Sequence, residues 1–391
     1  MSNVIFALKF VLLRTKKNLK KIVLIDNNKL TYGLYEEKIL RAEQSRAEQS
    51  RAEQSRAEQS RAEQSRAEQS RAERLPWIDV LKGTGIILVV LGHIFTNKTI
   101  YNWLYSFHMP LFFFAAGLVY KKKPVMEDIK RRIQTIVIPY FSFGFLVLIY
   151  WQIVERRFRT SDISFVDSLR GLISGQYEYL AFNVHLWFLP CFFMTVVMFN
   201  VMVNIGNNRT GYVISVVLSI FYAIIPLPGM LWGINWIAKY IGFYALGVGL
   251  SEIIKKEITY KKLLWIGTAT ILMGLNFFLA YNRLITGIMW FVTATVGVIG
   301  VALISLSINE NKILQYLGRN SLVTLCVHGP IYRVILKIIS IPFHVSTDTL
   351  RENFLLSGVT VVITLIICSV IYEIIDRITP WMIGKQKYRN R

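Results

Sequence analysis

Charge is what this 391-residue sequence has least of: Asp, Glu, Lys and Arg make up 18% of it, against about a quarter in ordinary soluble domains. That shortfall, beside 53% apolar residues, argues against a string of soluble domains and makes an integral membrane protein the first expectation. Acids are scarcer than bases, 24 against 45, for a formal net charge of +21. A nucleic-acid-binding protein would gather that excess on one basic domain. Here the bases sit in short polar breaks between long apolar blocks, where they act as topology signals. Membrane lipid is therefore an expected partner and nucleic acid is not. Cysteine is nearly missing. Cys191, Cys326 and Cys368 lie inside apolar segments without ligand spacing, so neither a disulfide framework nor a zinc site is supported and no metal is assigned. A soluble output domain is also lacking, which argues against a sensor or scaffold.

The first 40 residues offer no signal-peptide cleavage site. Their apolar run, residues 4–13, precedes Arg14, Lys16, Lys17, Lys20 and Lys21 rather than following them, so they are read as a basic segment of amphipathic character. From Arg41 the pentapeptide Arg-Ala-Glu-Gln-Ser occurs six times without a substitution, and residues 41–73 form one low-complexity stretch. Five residues turn a helix by about 500°. Successive alanines therefore wander around the cylinder and never build an apolar face. Fair helix formers with alternating charge make a solvated helix or an unstructured chain, not a core. The stretch reads as expansion of a short DNA repeat upstream of the true start codon, and the domain proper is expected to span residues 74–391.

That domain is expected to be all-α, a polytopic bundle of about ten membrane helices. A span needs about 20 mostly apolar residues. The candidates are residues 77–96, 100–119, 133–154, 184–203, 211–227, 234–250, 263–280, 284–306, 322–339 and 354–375. With both termini in the cytoplasm, the inner connections and C-terminal tail carry 18 Lys and Arg and the outer connections 7, which favours that orientation. The 29-residue segment 155–183 is the longest outer connection and long enough to shape a lid or groove.

Several ionisable residues fall inside these spans, where they are costly and normally face the bundle interior or a water-filled cavity. Lys82 and His93 are eleven positions apart, three turns plus a small angle, which puts them on one helical face about 16 Å apart. Asp79 joins that stripe. The second span contains Ser106-Phe107-His108-Met109-Pro110, and the short turn between the spans returns His108 to nearly the depth of His93. Two imidazoles are thus expected to meet at a polar cavity that Pro110 helps to open. His185 and Trp187 open the fourth span, and His328 with Arg333 lies within the ninth, where the arginine requires a partner. Competing readings are a snorkelling Lys82 paired with Asp79, a His108 satisfied by a carbonyl, and interfacial roles for His185 and Trp187.

Residues 74–117 carry the densest family signal: Trp77-Ile78-Asp79, Lys82-Gly83, Gly92-His93 and Ser106-Phe107-His108-Met109-Pro110-Leu111-Phe112-Phe113. These residues resemble the first two spans of the bacterial membrane acyltransferase-3 family, in the branch that contains rhizobial fucose O-acetylases. Weaker likeness continues in Arg131-Arg132 with Ile138-Pro139-Tyr140, in His185-Leu186-Trp187-Phe188-Leu189, and in Leu317-Gly318-Arg319-Asn320-Ser321-Leu322 with His328. Where many relatives have arginine, Lys82 stands, so a bidentate phosphate contact is lost.

The resemblance implies an O-acyltransferase of the bacterial inner membrane. It would move acetyl or another short acyl group from acyl-CoA to a sugar hydroxyl of a cell-surface or exported glycan, with no permanently bound cofactor. CoA phosphates are then expected near Lys82 with Asp79, Lys121 to Lys123, Arg131 and Arg132. His93 is the leading candidate for the base that accepts the hydroxyl proton and His108 positions the acceptor, although the sequence leaves the exchange of these roles open. His185, Trp187, His328 and Arg333 are candidate acceptor contacts, and Arg333 or Asn183 candidate donors to the thioester oxygen. A glycan or lipid transporter is the alternative, because intramembrane His, Arg and Lys also mark permeation paths.

Overall fold

The computed structural model describes residues 40–55, 58, 75–157, 163–225, 227–257 and 262–385. The basic segment before Leu40, most of the later repeats, Arg159 and the basic end of the C-terminal tail lie outside the described residues. The chain divides into two compact units, Met1–Arg74 and Leu75–Arg391. In the first, residues 40–55 are helical and every one of them is exposed. This is the outcome expected of a repeat whose period gives no apolar face.

The second unit contains no strand among the described residues. Its helices are α1 (Pro76–Ile94), α2 (Lys98–Leu118), α3 (Val125–Arg132), α4 (Ile138–Ile153), α5 (Phe165–Ser174), α6 (Phe188–Ile205) and α7 (Asn208–Ile224). They continue as α8 (Ile234–Glu257), α9 (Lys262–Tyr281), α10 (Gly287–Ile308), α11 (Lys312–Arg319), α12 (Ser321–Phe343), α13 (Thr347–Glu352) and α14 (Phe354–Ile378). All ten sequence-expected spans fall on these helices, and seven of the helical stretches are long and apolar enough to cross a membrane by length and composition. The other three are α2, α7 and α8. Of these, α7 has only 17 residues.

Local chemistry sets the ends that matter for the site. Pro76 starts α1 at the position where its missing N–H costs nothing. Asn97 caps α2 by accepting from the Thr99 and Ile100 amides at 3.0 and 3.2 Å. Three residues separate α1 from α2, so the two must pack as an antiparallel hairpin. Between α3 and α4 the chain widens into a π-turn, Ile133–Val137, just before Pro139. Proline removes one backbone donor and crowds the preceding turn, and the wider turn accommodates both.

The innermost helix is α1. Two-thirds of its apolar window (67%) is buried, against 17% for the peripheral α9. It packs against α2, α10, α11, α12 and α14. Its contact with the short α11 is made through glycines: a Cβ on Gly318 would lie 1.9 Å from the Asp79 carbonyl oxygen, and one on Gly83 2.0 Å from that of Leu314. Only bare backbone fits that crossing, the small-residue packing that membrane helices use in place of a hydrophobic driving force. Gly318→Val is expected to lower stability by about 1–3 kcal/mol. The check is the fraction of protein still monodisperse in detergent after a heating series; an unchanged profile would mean that this crossing does not hold α11.

Candidate functional site

Four of the five histidines in the chain converge at the Ile94 end of α1. His93 comes from the last turn of α1, His108 from α2, His185 from a 3-10 turn at Val184–Trp187, and His328 from α12. Ring centroids lie 3.9 Å apart for His93 and His185, 4.3 Å for His185 and His328, 5.4 Å for His93 and His328, and 6.3 Å for His93 and His108. The two imidazoles expected to meet do so, and two more stand closer to His93 than His108 does.

Three of the four rings are held from their far side, those of His93, His108 and His328. Tyr105 Oη lies 2.7 Å from His93 Nδ1. His108 Nδ1 donates to the Leu104 carbonyl at 2.6 Å, and His328 Nδ1 to the Thr324 and Leu325 carbonyls at 2.9 and 3.0 Å. A carbonyl only accepts, so both of these rings carry their proton on Nδ1 and offer a lone pair at Nε2. The carbonyl that holds His108 belongs to Leu104; the one that Pro110 leaves without an amide is that of Ser106.

Two hydrogen bonds flanking His185 dock its turn on α12. Asn183 Nδ2 donates to the Cys326 carbonyl at 2.7 Å, and Arg333 Nη2 donates to the Phe182 carbonyl at 3.1 Å. Gly329 makes the approach feasible, since a Cβ there would fall 2.7 Å from Cδ2 of His185. Arg333 finds its required partner in Glu155, just beyond α4, with Nη2 to Oε2 at 3.1 Å and Nε on Oε1. On the other flank Arg351 of α13 donates to the carbonyls of Ile94 and His93 at 3.0 and 3.1 Å. It thereby occupies acceptors that the end of α1 leaves open, with a cation at the negative end of the helix dipole.

Above this floor lies a cavity of about 800 Å³. His93 and His185 line it, together with Tyr101, Tyr105, Tyr150, Tyr332, the Glu155–Arg333 pair, Lys337 and Arg351. His108 and His328 are almost fully buried (1% and 0% exposed) and stand behind the lining. Aromatic faces with a few placed hydrogen-bonding and charged groups are the usual lining of a small-molecule pocket.

The remaining sequence-chosen residues lie elsewhere. Trp187 packs on Trp236, with centroids 4.4 Å apart, and on Tyr240, away from the cavity lining. Asp79 is buried and Lys82 partly buried at the other end of α1, beside α11. Arg131 is exposed and Arg132 pairs with Asp128 at 3.2 Å, both on α3, which packs against α6. Lys122 Nζ donates to the Val203 carbonyl at 3.2 Å.

Glu155, Tyr105 and Arg351 were not singled out by sequence reasoning. Tyr105 had a readable signal, since it precedes His108 by three residues on a helix and must share its face. Glu155 and Arg351 had none, because nothing local to an arginine or glutamate names its distant partner.

Residues 75–373 match a family model described as an acyltransferase domain. No curated protein and no solved structure matches the chain.

Removing one member of a buried ion pair strands the other charge, which costs about 3–5 kcal/mol. Glu155→Ala is therefore expected to destabilise the fold strongly, and Glu155→Ala with Arg333→Met to recover part of the loss. Thermal stability of the single and double variants in detergent is the measurement; additive losses would show that the two side chains are not coupled.

Proposed function

The chain belongs to the membrane acyltransferase-3 family, and from that premise we propose that it transfers an acetyl or other short acyl group from acyl-CoA to a hydroxyl of a cell-surface or exported glycan in the bacterial inner membrane. The observation that carries this reading is His93. The residue is half-buried and lines the cavity, with Nδ1 against Tyr105, so Nε2 is the atom that this reading assigns to the acceptor.

When His93 Nδ1–H donates to Tyr105 Oη, Nε2 holds a lone pair that can take the proton of an acceptor hydroxyl. The hydroxyl oxygen then attacks the thioester carbonyl carbon and forms the ester C–O bond. As the tetrahedral intermediate collapses, the C–S bond breaks, and the proton held on Nε2 passes to the departing CoA sulfur. Neutral imidazole is restored and no net proton is consumed. Charge on the thioester oxygen in the transition state needs donors. The Arg333 guanidinium, which lines the cavity and is steadied by Glu155, is the group this reading assigns to that task.

The tyrosines on the cavity wall favour a sugar as acceptor, because their faces suit the C–H surfaces of a pyranose and their hydroxyls its polar edge. The donor's phosphates are assigned to Lys82 and the exposed bases of residues 121–131, and the thioester arm follows the α1 stripe toward His93. Both termini are placed in the cytoplasm, where CoA is found, and the cavity on the opposite side.

His93→Ala is expected to lower turnover about 10²–10⁴-fold, read as acceptor-dependent release of CoA thiol from acetyl-CoA by purified, monodisperse protein. An active, folded His93→Ala enzyme would remove this residue from the chemistry. Lys82→Ala is expected to raise KM for acetyl-CoA while KM for the glycan stays put. If the donor KM does not move, Lys82 is a snorkelling side chain and the donor phosphates sit elsewhere.

A further inference from the structure

The cluster has a property that proton transfer does not require. One base suffices to deprotonate a hydroxyl, yet three imidazoles converge: a ligating nitrogen from each of His93, His185 and His328 can be chosen so that all three lie within 4.8 Å of one another. Tetrahedral zinc holds nitrogen ligands at about 2.0–2.1 Å, which puts them about 3.4 Å apart, so closing this set on an ion needs shifts on the order of 1 Å. Three imidazoles plus an open fourth position is a donor set suited to zinc and its neighbours.

Geometry around the rings fits ligation rather than mere packing. His328 is fully buried, and its Nε2 has no hydrogen-bond partner among the described residues, while Nδ1 is fixed as a donor to two backbone carbonyls. A buried polar atom without a partner is costly. That cost vanishes if the lone pair binds a cation. Nδ1–H held by an oxygen is also the outer support that metal-binding histidines normally have, and Tyr105 Oη supplies the same support for His93. The two guanidiniums that line the cavity are each paired with an acid, Arg333 with Glu155 at 3.1 Å and Arg351 with Asp348 at 3.3 Å, so neither brings an uncompensated positive charge to the site.

From this we infer that His93, His185 and His328 form a binding site for one divalent transition ion of the zinc type, with its fourth coordination position open to the cavity. The ion claims the Nε2 lone pair of His93. Its consequence for turnover rests on the function proposed above: an ion-loaded enzyme has no free base and is inhibited, and a hydroxyl-bearing acceptor competes with the ion for the same space. Binding of the ion does not depend on that reading.

The test uses untagged full-length protein in detergent, freed of metal by a chelator and titrated with Co2+, whose visible ligand-field bands report coordination by nitrogen. The expected result is a band that saturates at one ion per chain and is displaced by Zn2+. It is retained in His344→Ala and His108→Ala and lost, or weakened at least about 10-fold, in His185→Ala and His328→Ala. Gln replacements serve wherever an alanine variant is not monodisperse. Gly329→Ala keeps all three histidines but crowds His185, and is expected to weaken binding as well. Absence of the band in the wild-type protein, or a band indifferent to His185 and His328, overturns the site.

Turnover separates this inference from the proposed function. Inhibition by Zn2+ that a chelator reverses supports both. Saturable Co2+ binding to the trihistidine set without loss of acyl transfer upholds the site and overturns the role of His93 as base. Acyl transfer that requires His93 in a protein showing no Co2+ band does the reverse.

Discussion

The arrangement of the site depends on where the charge of Arg333 goes. A guanidinium on a membrane-spanning helix must be neutralised or hydrated, since the apolar interior offers neither partner nor water. Glu155 neutralises it from the end of α4, and Nη2 donates to the Phe182 carbonyl as well. One side chain thus ties α12, the end of α4 and the loop before His185 into a single corner of the cavity. Buried ion pairs add little net stability compared with well-packed apolar groups. What this pair supplies is position: the loop that carries His185 is docked where its ring meets His93 and His328.

With that corner fixed, the imidazoles follow. His328 and His108 have their tautomers set by carbonyls of their own helices, so their orientation is a product of helix geometry alone. His93 is different. Its Nδ1 partner, Tyr105, sits on the neighbouring helix, and the orientation of the ring therefore depends on the α1–α2 hairpin staying closed. The three-residue turn capped by Asn97 and the Arg351 contacts to the end of α1 both hold that hairpin in register. Gly329 completes the arrangement by giving up the volume that His185 occupies.

How much of this could be read from the chain follows from the range of each signal. Helical periodicity is local, and it was enough to place a helix at each of the ten expected spans, seven of which are long and apolar enough to cross among the described residues, and to put Asp79, Lys82 and His93 on one face of α1. The brevity of the first turn then brought His93 and His108 to a common level, and the rings stand 6.3 Å apart. Pairings between elements remote in sequence carry no such period. That Arg333 needs an acid was legible; that the acid is Glu155 was not. His185 was noticed for its neighbourhood, Asn183 to Pro190, yet its ring lies nearer to His93 than His108 does, because the docking of its turn on α12 is a packing outcome. Trp187 shows the converse. An aromatic at a helix start reads equally as interface belt, ligand platform or core, and packing against Trp236 and Tyr240 makes it part of the framework.

Under the proposed function, the stripe on α1 constrains how the donor would reach His93. Lys82 and His93 occupy opposite ends of a face whose middle is packed. Val89 is fully buried in the core, and even a Cβ at Gly85 would come within 2.9 Å of Leu111 and 3.2 Å of Phe112. The cavity that bathes His93 has none of these residues in its lining. An acyl chain travelling along the stripe must therefore displace side chains of α2, and Phe112, only partly buried, is the one that can move at least cost. At Gly85, α1 presents no side chain and Leu111 and Phe112 of α2 fill the space. The proposed donor route would thus couple catalysis to a local parting of α1 from α2 on the same hairpin whose closure orients His93. On that route, keeping the hold of Tyr105 on the His93 ring would confine the movement to the Leu111–Phe112 level, short of the end of α1 where Asn97 and Arg351 keep the pair together.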